Sequence, residues 1–530
     1  MREMFTANHT SSEPAYGPIR MAEVLAAFSL ATDLGTGKPM GHAIRACYLG
    51  MALARELRLS TSDQADLYYS FLLMHSGCAA LSLEMTPVIK GDELAAIGDI
   101  TLIDETNLRE ALGWMRRNVS PNAPLPTRIL NLVQALLHNP DDGGPRGVCE
   151  VAVRVAQRLD MPQGVQNAVR HYLERWDGKG PYGLQGTAIP LKAHLLHLAL
   201  KIEACNTVYG RDAAETMALE QKGKIFAPQV VDAFLSVAGK PDVWETWARQ
   251  DIGEVVLDLE PDSPHRYIGE AKLDDVALAA ADFVDLKSPF TVGHSRETAH
   301  FAVCIARRMD LPQSDIDTIR RAALVHDLGL IALPGHILLD QEQLSAVDKE
   351  KLRLHPYYTE RILSRVPALE PVAAIAGMHH ERLDGTGYYR GLSGDELPVG
   401  ACILALADAF QDRLQGAPNR RDLDPEDVLK AMEPEAGTRF SPECFAALAQ
   451  ELGVAAPSPR RQRELPAGLT GREVEVLQQV AKGDTNRQVA QALVISERTV
   501  AHHLEHIYDK IGISSRAAAV FFAMEHELLR

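Results

Sequence analysis

Residues 293–312 read GHSRETAHFAVCIARRMDLP. Within them, RETAHFAVCIARRM (296–309) places apolar side chains at i, i+3, i+4 and i+7, which predicts an amphipathic helix. A similar stretch occurs earlier, GHAIRACYLGMALARELRLS at 41–60, and HAIRACYLGMALARE (42–56) keeps the helical spacing. Two more blocks repeat in the same order. ERWDGKGPYGLQGTAIP (174–190) matches ERLDGTGYYRGLSGDELP (381–398), and GKIFAP (223–228) matches GTRFSP (437–442). Blocks kept in order mark an internal duplication. We read two related helical domains, at about 20–250 and 270–455, behind an N-terminal tail at 1–19. Strand-like alternation is rare, so the expected class is all-α.

Composition narrows the functions. The chain has 530 residues, and roughly 150 per domain gives three or four domains. Hydrophobic residues make up 46% and charged residues 24%, an ordinary globular balance. Its formal net charge of −17 excludes a general polyanion binder, so any nucleic-acid contact must be local. Seven cysteines without a CxxC pair exclude a disulfide framework or zinc ribbon and fit a reducing cytosol. The first residues, MREMFTANHTSSEPAYG, carry no basic-then-apolar leader pattern, and no stretch approaches 18 uninterrupted apolar residues. The expected location is cytoplasmic.

The second copy concentrates the chemistry. His294, His326-Asp327, His355, His379-His380 and Asp408 are seven nitrogen or carboxylate ligands on separate helical segments. Such a set suits two borderline-hard cations, iron or manganese first. Neighbours on a helix point about 100° apart, so His326 and Asp327 can serve different directions and the carboxylate can bridge. Two ions at about 3.5–4 Å would stabilise the attacking and leaving oxygens of a phosphoryl displacement.

HDLGLIALPGHIL (326–338), LHPYYTERIL (354–363), HHERLDGTGYYRGL (379–392) and ILALADAF (403–410) resemble the HD superfamily of phosphohydrolases, in its HD-GYP branch. The resemblance covers about 270–455 and implies an all-α fold with a two-metal centre. It would place His294, His326, Asp327 and Asp408 on one ion, and Asp327, His355, His379 and His380 on the other. His326 and Asp327 would be the catalytic pair. The implied substrate is a cyclic dinucleotide, cyclic di-GMP first, cut by metal-activated hydroxide. Asp384, Gly385, Gly387, Tyr388 and Arg420 would shape the substrate loop. Three positions depart from the family. Its HDxGK lysine is Leu330, which removes a cation from the phosphate clamp. Its GYP proline is Tyr389, and the first Arg of its RPYR block is Ala417. The ligands remain while substrate-handling groups do not, which implies altered, slow or absent cyclic di-GMP turnover.

In the first copy His42 aligns with His294 and His75 with His326. Ser76 stands at Asp327, Tyr172 and Leu173 at the HH pair, and Leu200 at Asp408. No His occurs near 148 to match His355. Two ligands do not make a binuclear centre, so this copy is expected to be degenerate, with a structural, dimerising or sensing role.

PSPRRQRELPAG (457–468) reads as a basic linker, with Arg460, Arg461 and Arg463 as possible extra phosphate contacts. After it, Thr470 and Glu473 form a capping-box pattern, Gly483 stops a helix, 486–493 is a short second helix, and Ser496 caps a third. That is a helix-turn-helix pattern. LTGREVEVL, GDTNRQVA, ISERTVAHHL and YDKIGISSR resemble the LuxR-type (GerE-like) DNA-binding domain across 469–530. The resemblance implies four helices, with the third, about 497–510, in the major groove. It would set Ala501, His502 and Glu505 toward bases, and Thr499, Lys510 and Arg516 toward phosphates. Glu505 could accept from cytosine N4. Seven Lys+Arg against eight Asp+Glu from Arg472 to Arg530 give modest affinity per copy, so a homodimer is expected to supply the rest.

The sequence thus reads as a one-component regulator. Its metal-holding domain would hydrolyse or sense a phosphorylated small molecule and so bias binding of double-stranded DNA. The alternative is a catalytically silent pair that only binds ligand or dimerises. No receiver-domain pattern precedes the DNA-binding segment.

Overall fold

A computed structural model describes residues 19–137, 144–261, 265–339, 344–415, 424–453, 466–493 and 495–529. Arg420, Arg460, Arg461, Arg463 and most of the linker and N-terminal tail lie outside these. The two duplicated stretches are helices where the periodicity puts them, His42–Glu56 and His294–Arg308. Each begins after a glycine in the left-handed region, Gly41 (φ 91°) and Gly293 (φ 78°), a backbone state that favours glycine. Each buries one face. In the second copy that face is His294, Ser295, Thr298, Ala299, Ala302, Ile305 and Ala306.

The described chain is all-α, with one two-stranded exception. Ile19–Arg20 pairs antiparallel with Tyr267–Ile268, tying the start of the first copy to the start of the second. One continuous apolar core runs from Met21 to Leu528 through both copies and the C-terminal helices. The copies meet where helix Met21–Gly35 packs on the 3-10 turn Leu328–Ala332 and helix His355–Leu363. Gly35 is there because a Cβ would stand 2.6 Å from Ile331 Cγ1.

A polar link also crosses this seam. Buried Glu93 of the first copy accepts from Ser82 Oγ at 2.7 Å and from the Gly335 amide at 2.7 Å. Lys287 of the second copy lies 3.9 Å from it and donates to Ile331 O. Glu93 therefore fastens the segment that follows His326 and Asp327.

Helices Gly471–Ala481, Asn486–Leu493, Glu497–Ile511 and Arg516–Glu525 form the C-terminal module. The caps act as the sequence requires. Thr470 and Glu473 make a reciprocal capping box, and Ser496 Oγ accepts from the Thr499 amide at 3.0 Å. The last helix is buried on every side, from Ala517 to Met524. It packs on helix Gly471–Ala481 within the module, and on helices Cys78–Ile89, Gly144–Arg158 and Glu270–Asp285 of the HD-like pair. Glu150 accepts from Ser514 Oγ at 2.6 Å and from its amide at 3.1 Å. Arg154 donates to Ile511 O at 2.8 Å and covers the Phe522 ring at 5.0 Å.

Candidate metal centre and DNA-facing helix

The seven side chains singled out in the second copy converge from three helices and two turns. His294 opens one helix, His326 follows helix Gln313–Val325, and His355 opens another. His379-His380 follow helix Glu370–Ala376, and Asp408 lies midway along helix Val399–Gln415. The turn holding Asp327 fits against His355 because Gly329 has no side chain: a Cβ there would lie 2.0 Å from His355 O.

Asp327 divides its two oxygens. Oδ1 lies 3.2 Å from His355 Nε2 and 3.6 Å from His379 Nε2. Oδ2 lies 3.4 Å from His326 Nε2 and 3.8 Å from His294 Nε2. Asp408 Oδ1 faces His294 at 3.1 Å and His326 at 3.2 Å, while its Oδ2 faces His380 at 3.8 Å. Three imidazoles are oriented from behind. His326, His355 and His379 each bond Nδ1 to the carbonyl three residues earlier, at 2.7, 2.6 and 2.7 Å. That arrangement fixes the tautomer and leaves each Nε2 pointing inward as a ligand.

The charges suit a cation. Burial would raise the Asp327 carboxyl, but His326, His355 and His379 hold it well below the usual range. Burial opposes the charge on His326, yet Asp327 and Asp408 push it up to about 9. Burial and then His379 push His380 well below its ordinary value. Among the described residues, the His and Asp clusters able to hold an ion all lie in this copy, and the donor set fits divalent cations. One member was missed from sequence. Asp412, one turn beyond Asp408, lies 3.7 Å from His294 Nδ1. Its i, i+4 spacing was the available signal.

The loop beside the cluster is built from its own backbone. Asp384 Oδ1 accepts from the Thr386 amide at 2.9 Å, and Gly385 has φ 73°. Gly387 lies so close to Glu381 Cα that a Cβ would sit 2.5 Å away. Glu381 accepts from the amides of Arg390, Gly391 and Leu392. The Tyr388 ring lies 4.7 Å from the His380 ring, and the Arg353 guanidinium lies 5.2 Å over the Tyr388 ring. Tyr389 donates to Glu360 at 2.5 Å. Leu330 turns away from the cluster, into an apolar group with Val284, Leu333, Ile337 and Leu338.

The first copy keeps the scaffold and drops the bridge. His42 and His75 stack at 5.5 Å, Ser76 replaces the bridging carboxylate, and Gly77 abuts Val148 O as Gly329 abuts His355 O. Helices Leu191–Tyr209 and Val399–Gln415 start alike, after Pro190 and Pro398, and so keep Leu200 at the place of Asp408. Glu203, three residues on, pairs with Nδ1 of His42, the ring nitrogen that in His294 faces Asp412 and Gln415. Buried cations stand nearby. Lys38 donates to Gly98 O and Thr101 Oγ1, and Lys201 to Thr101 O and Ile103 O.

In the C-terminal module, helix Glu497–Ile511 turns one flank to solvent. The His502 and Glu505 side chains are 63% and 77% exposed, and Ala501 is half-buried. Thr499 bonds Ser496 at the cap. Two phosphate-facing candidates are engaged inside the module instead. Lys510 pairs with Glu473 at 2.7 Å, and Arg516 bonds Asp484 O and Asn486. Both join elements of the module, Lys510 from its exposed surface and Arg516 half-buried.

Comparison with known proteins agrees with both halves. The HD domain model matches residues 279–444, and the model for bacterial regulatory proteins of the luxR family matches 467–523. The 3'3'-cGAMP-specific phosphodiesterase 3 of Vibrio cholerae is 30% identical over 438 residues, 82% of this chain and 95% of that protein. A crystal structure of the V. cholerae cyclic GMP-AMP specific phosphodiesterase V-cGAP3 superposes with TM-score 0.59 at 27% identity, over 83% of this chain and 99% of that one. The probable transcriptional regulatory protein NarL of Mycobacterium tuberculosis is 30% identical over 177 residues, 32% of this chain and 78% of that protein. No described helix is long and apolar enough to cross a membrane. The chain belongs to the HD-domain family of phosphodiesterases and joins that fold to a LuxR-type DNA-binding domain.

Proposed function

We propose that residues 270–455 are a cyclic dinucleotide phosphodiesterase centre, and that its occupancy or turnover biases DNA binding by residues 469–530. The observation that carries this reading is the division of Asp327 between two imidazole sets. His294, His326 and Asp408 would hold one divalent cation with Asp327, and His355, His379 and His380 the other. Iron or manganese fits that nitrogen-rich set. Bound cations would supply Lewis-acid activation of water and neutralise phosphate charge. The chain's own groups place the substrate. The Glu381-braced loop presents Tyr388 to a base, and Arg353 offers a cation beside it. The cyclic GMP-AMP specificity of the relative matched over nearly its whole length makes 3'3'-cGAMP the first substrate to try, ahead of cyclic di-GMP.

A second reading has its own support. Leu330, buried among apolar side chains, leaves the phosphate clamp without the family's lysine, which favours a sensor that binds without cutting. For DNA, His502, Glu505 and Ala501 would face the bases, with two copies reading two half-sites.

The test is metal content by mass spectrometry on anaerobically purified protein, with hydrolysis of both dinucleotides on the same sample. About two iron or manganese per chain with turnover establishes the enzyme. Metal and nucleotide binding without turnover establishes the sensor. Protein that takes up neither metal nor nucleotide overturns both readings.

A further inference from the structure

Helix Leu125–Leu137, sequence LPTRILNLVQALL, is turned inside out. Asn131 faces the protein, with half-buried Arg128, Leu132 and Ala135 beside it. Asn131 is buried, accepts from Lys90 Nζ at 2.9 Å and donates to Ser120 Oγ at 2.9 Å. Gln134 takes a second bond from the same ammonium at 2.9 Å, and Arg128 donates to Arg116 O. Six apolar residues face water instead: Leu125, Ile129, Leu130, Val133, Leu136 and Leu137 are 46–78% exposed. Leu108 and Leu112 on the preceding helix are exposed as well. A surface helix normally does the reverse. The six side chains of this face leave on the order of 700 Å² in water, against about 800 Å² per partner in a standard interface and roughly 300–600 Å² for the largest patch on a typical monomer.

We propose that this face is the homodimer interface, covered by the same face of a second copy. The proposal rests on the two-copy reading of DNA binding given above. Three features favour a second copy. Ile129, Val133 and Leu136 follow steps of four and three, and Leu130 and Leu137 are seven apart, the 3.5-residue repeat of a helix that packs against a helix. No charge interrupts residues 129–137. The exposed area approaches what one partner gives to a stable dimer. A two-fold axis through the patch would make it self-complementary and would set Val133, midway along the stripe, against Val133 of the other copy. The basic side chains Arg116 and Arg117 nearby make an anionic bilayer the competing occupant.

The test compares the full-length protein with an I129E/L136E variant by sedimentation velocity. Both positions are exposed, so the acidic side chains enter no core. The wild type is expected to be a dimer and the variant a monomer with unchanged metal content. The variant's affinity for a DNA carrying two half-sites should fall by about tenfold or more. A V133C chain oxidised with copper-phenanthroline should give a band at twice the monomer mass. A dimeric variant, or absence of that band, overturns the assignment of this face while the two-copy reading stands. A monomeric wild type overturns both. Flotation of the wild type, but not of the variant, with phosphatidylglycerol vesicles overturns the proposal in favour of a membrane surface.

Discussion

His355 and His379 face each other Nε2 to Nε2 across 2.9 Å. Both rings already bond a carbonyl through Nδ1, so as neutral imidazoles they aim two lone pairs at one point. A cation at that point relieves the repulsion, and the neighbouring Asp327 oxygen balances its charge. Chelation should therefore destabilise the protein. A site filled at a hundred times its Kd adds about 2.7 kcal/mol. With roughly 2–4 °C per kcal/mol, EDTA should lower Tm by several degrees. In Asp327→Ala the EDTA-dependent shift should vanish. A wild-type Tm that ignores EDTA removes the metal reading.

Metal uptake should release protons. His326 is pushed up to about 9 and His294 well above its ordinary value, so both carry a proton near pH 7 in the metal-free protein. A metal needs the neutral ring. Affinity should rise from pH 6 toward pH 9 and fall in acid. Calorimetry in two buffers of different ionisation enthalpy measures the protons released per ion. Zero release contradicts the protonated imidazoles.

Restoring the family lysine should not restore a clamp. Leu330→Lys places an ammonium among Val284, Leu333, Ile337 and Leu338, at a cost of several kcal/mol. The expected result is a markedly lower Tm with no gain in turnover. Arg353→Ala, which removes an exposed cation over Tyr388, should leave Tm nearly unchanged and raise KM for a cyclic dinucleotide. Equal kinetics in wild type and Arg353→Ala would deny that side chain a part in substrate binding.

Glu150→Ala should loosen the DNA-binding module. It leaves the Ser514 amide without its acceptor, a loss of about 1–3 kcal/mol for a buried group. Hydrogen exchange should quicken across residues 514–525 and stay unchanged around His294–Arg308. Uniform quickening would point to global destabilisation instead.

Glu473 should give this module an acid-labile component. Burial would raise its carboxyl, but Lys510 and the Thr470 cap lower it to about 2 from an unfolded value of 4.5. The stabilisation is complete above pH 4.5 and is lost as pH falls toward 2. Glu473→Gln should flatten the stability-against-pH curve over that window, as followed by circular dichroism.

The helices, the duplication and the C-terminal caps were all legible, because periodicity and capping are local. The seven ligand types were legible as a pattern, and the structure brings them to one place. Glu203 was not, because it stands where the second copy has Gln411, and only the pairing with His42 reveals its part. Glu93 was equally hidden, since it acts across the seam between copies, on Gly335. The docking of helix Arg516–Glu525 left a trace, for AAAVFFAM is apolar on all sides and must be covered all round. The inside-out helix left only half a trace: LPTRILNLVQALL is visibly amphipathic, but which face looks outward is settled by Lys90, far away in sequence.

The burial of that last helix also bears on portability. Phe522 lies under Arg154 of the first copy, so severing the module from its host bares an aromatic surface that no shorter fragment can hide. A DNA-reading unit of this design is not a cassette to be swapped between regulators. A transplant of residues 466–529 would have to carry a replacement for helix Gly144–Arg158, and the same dependence would restrain its shuffling among lineages.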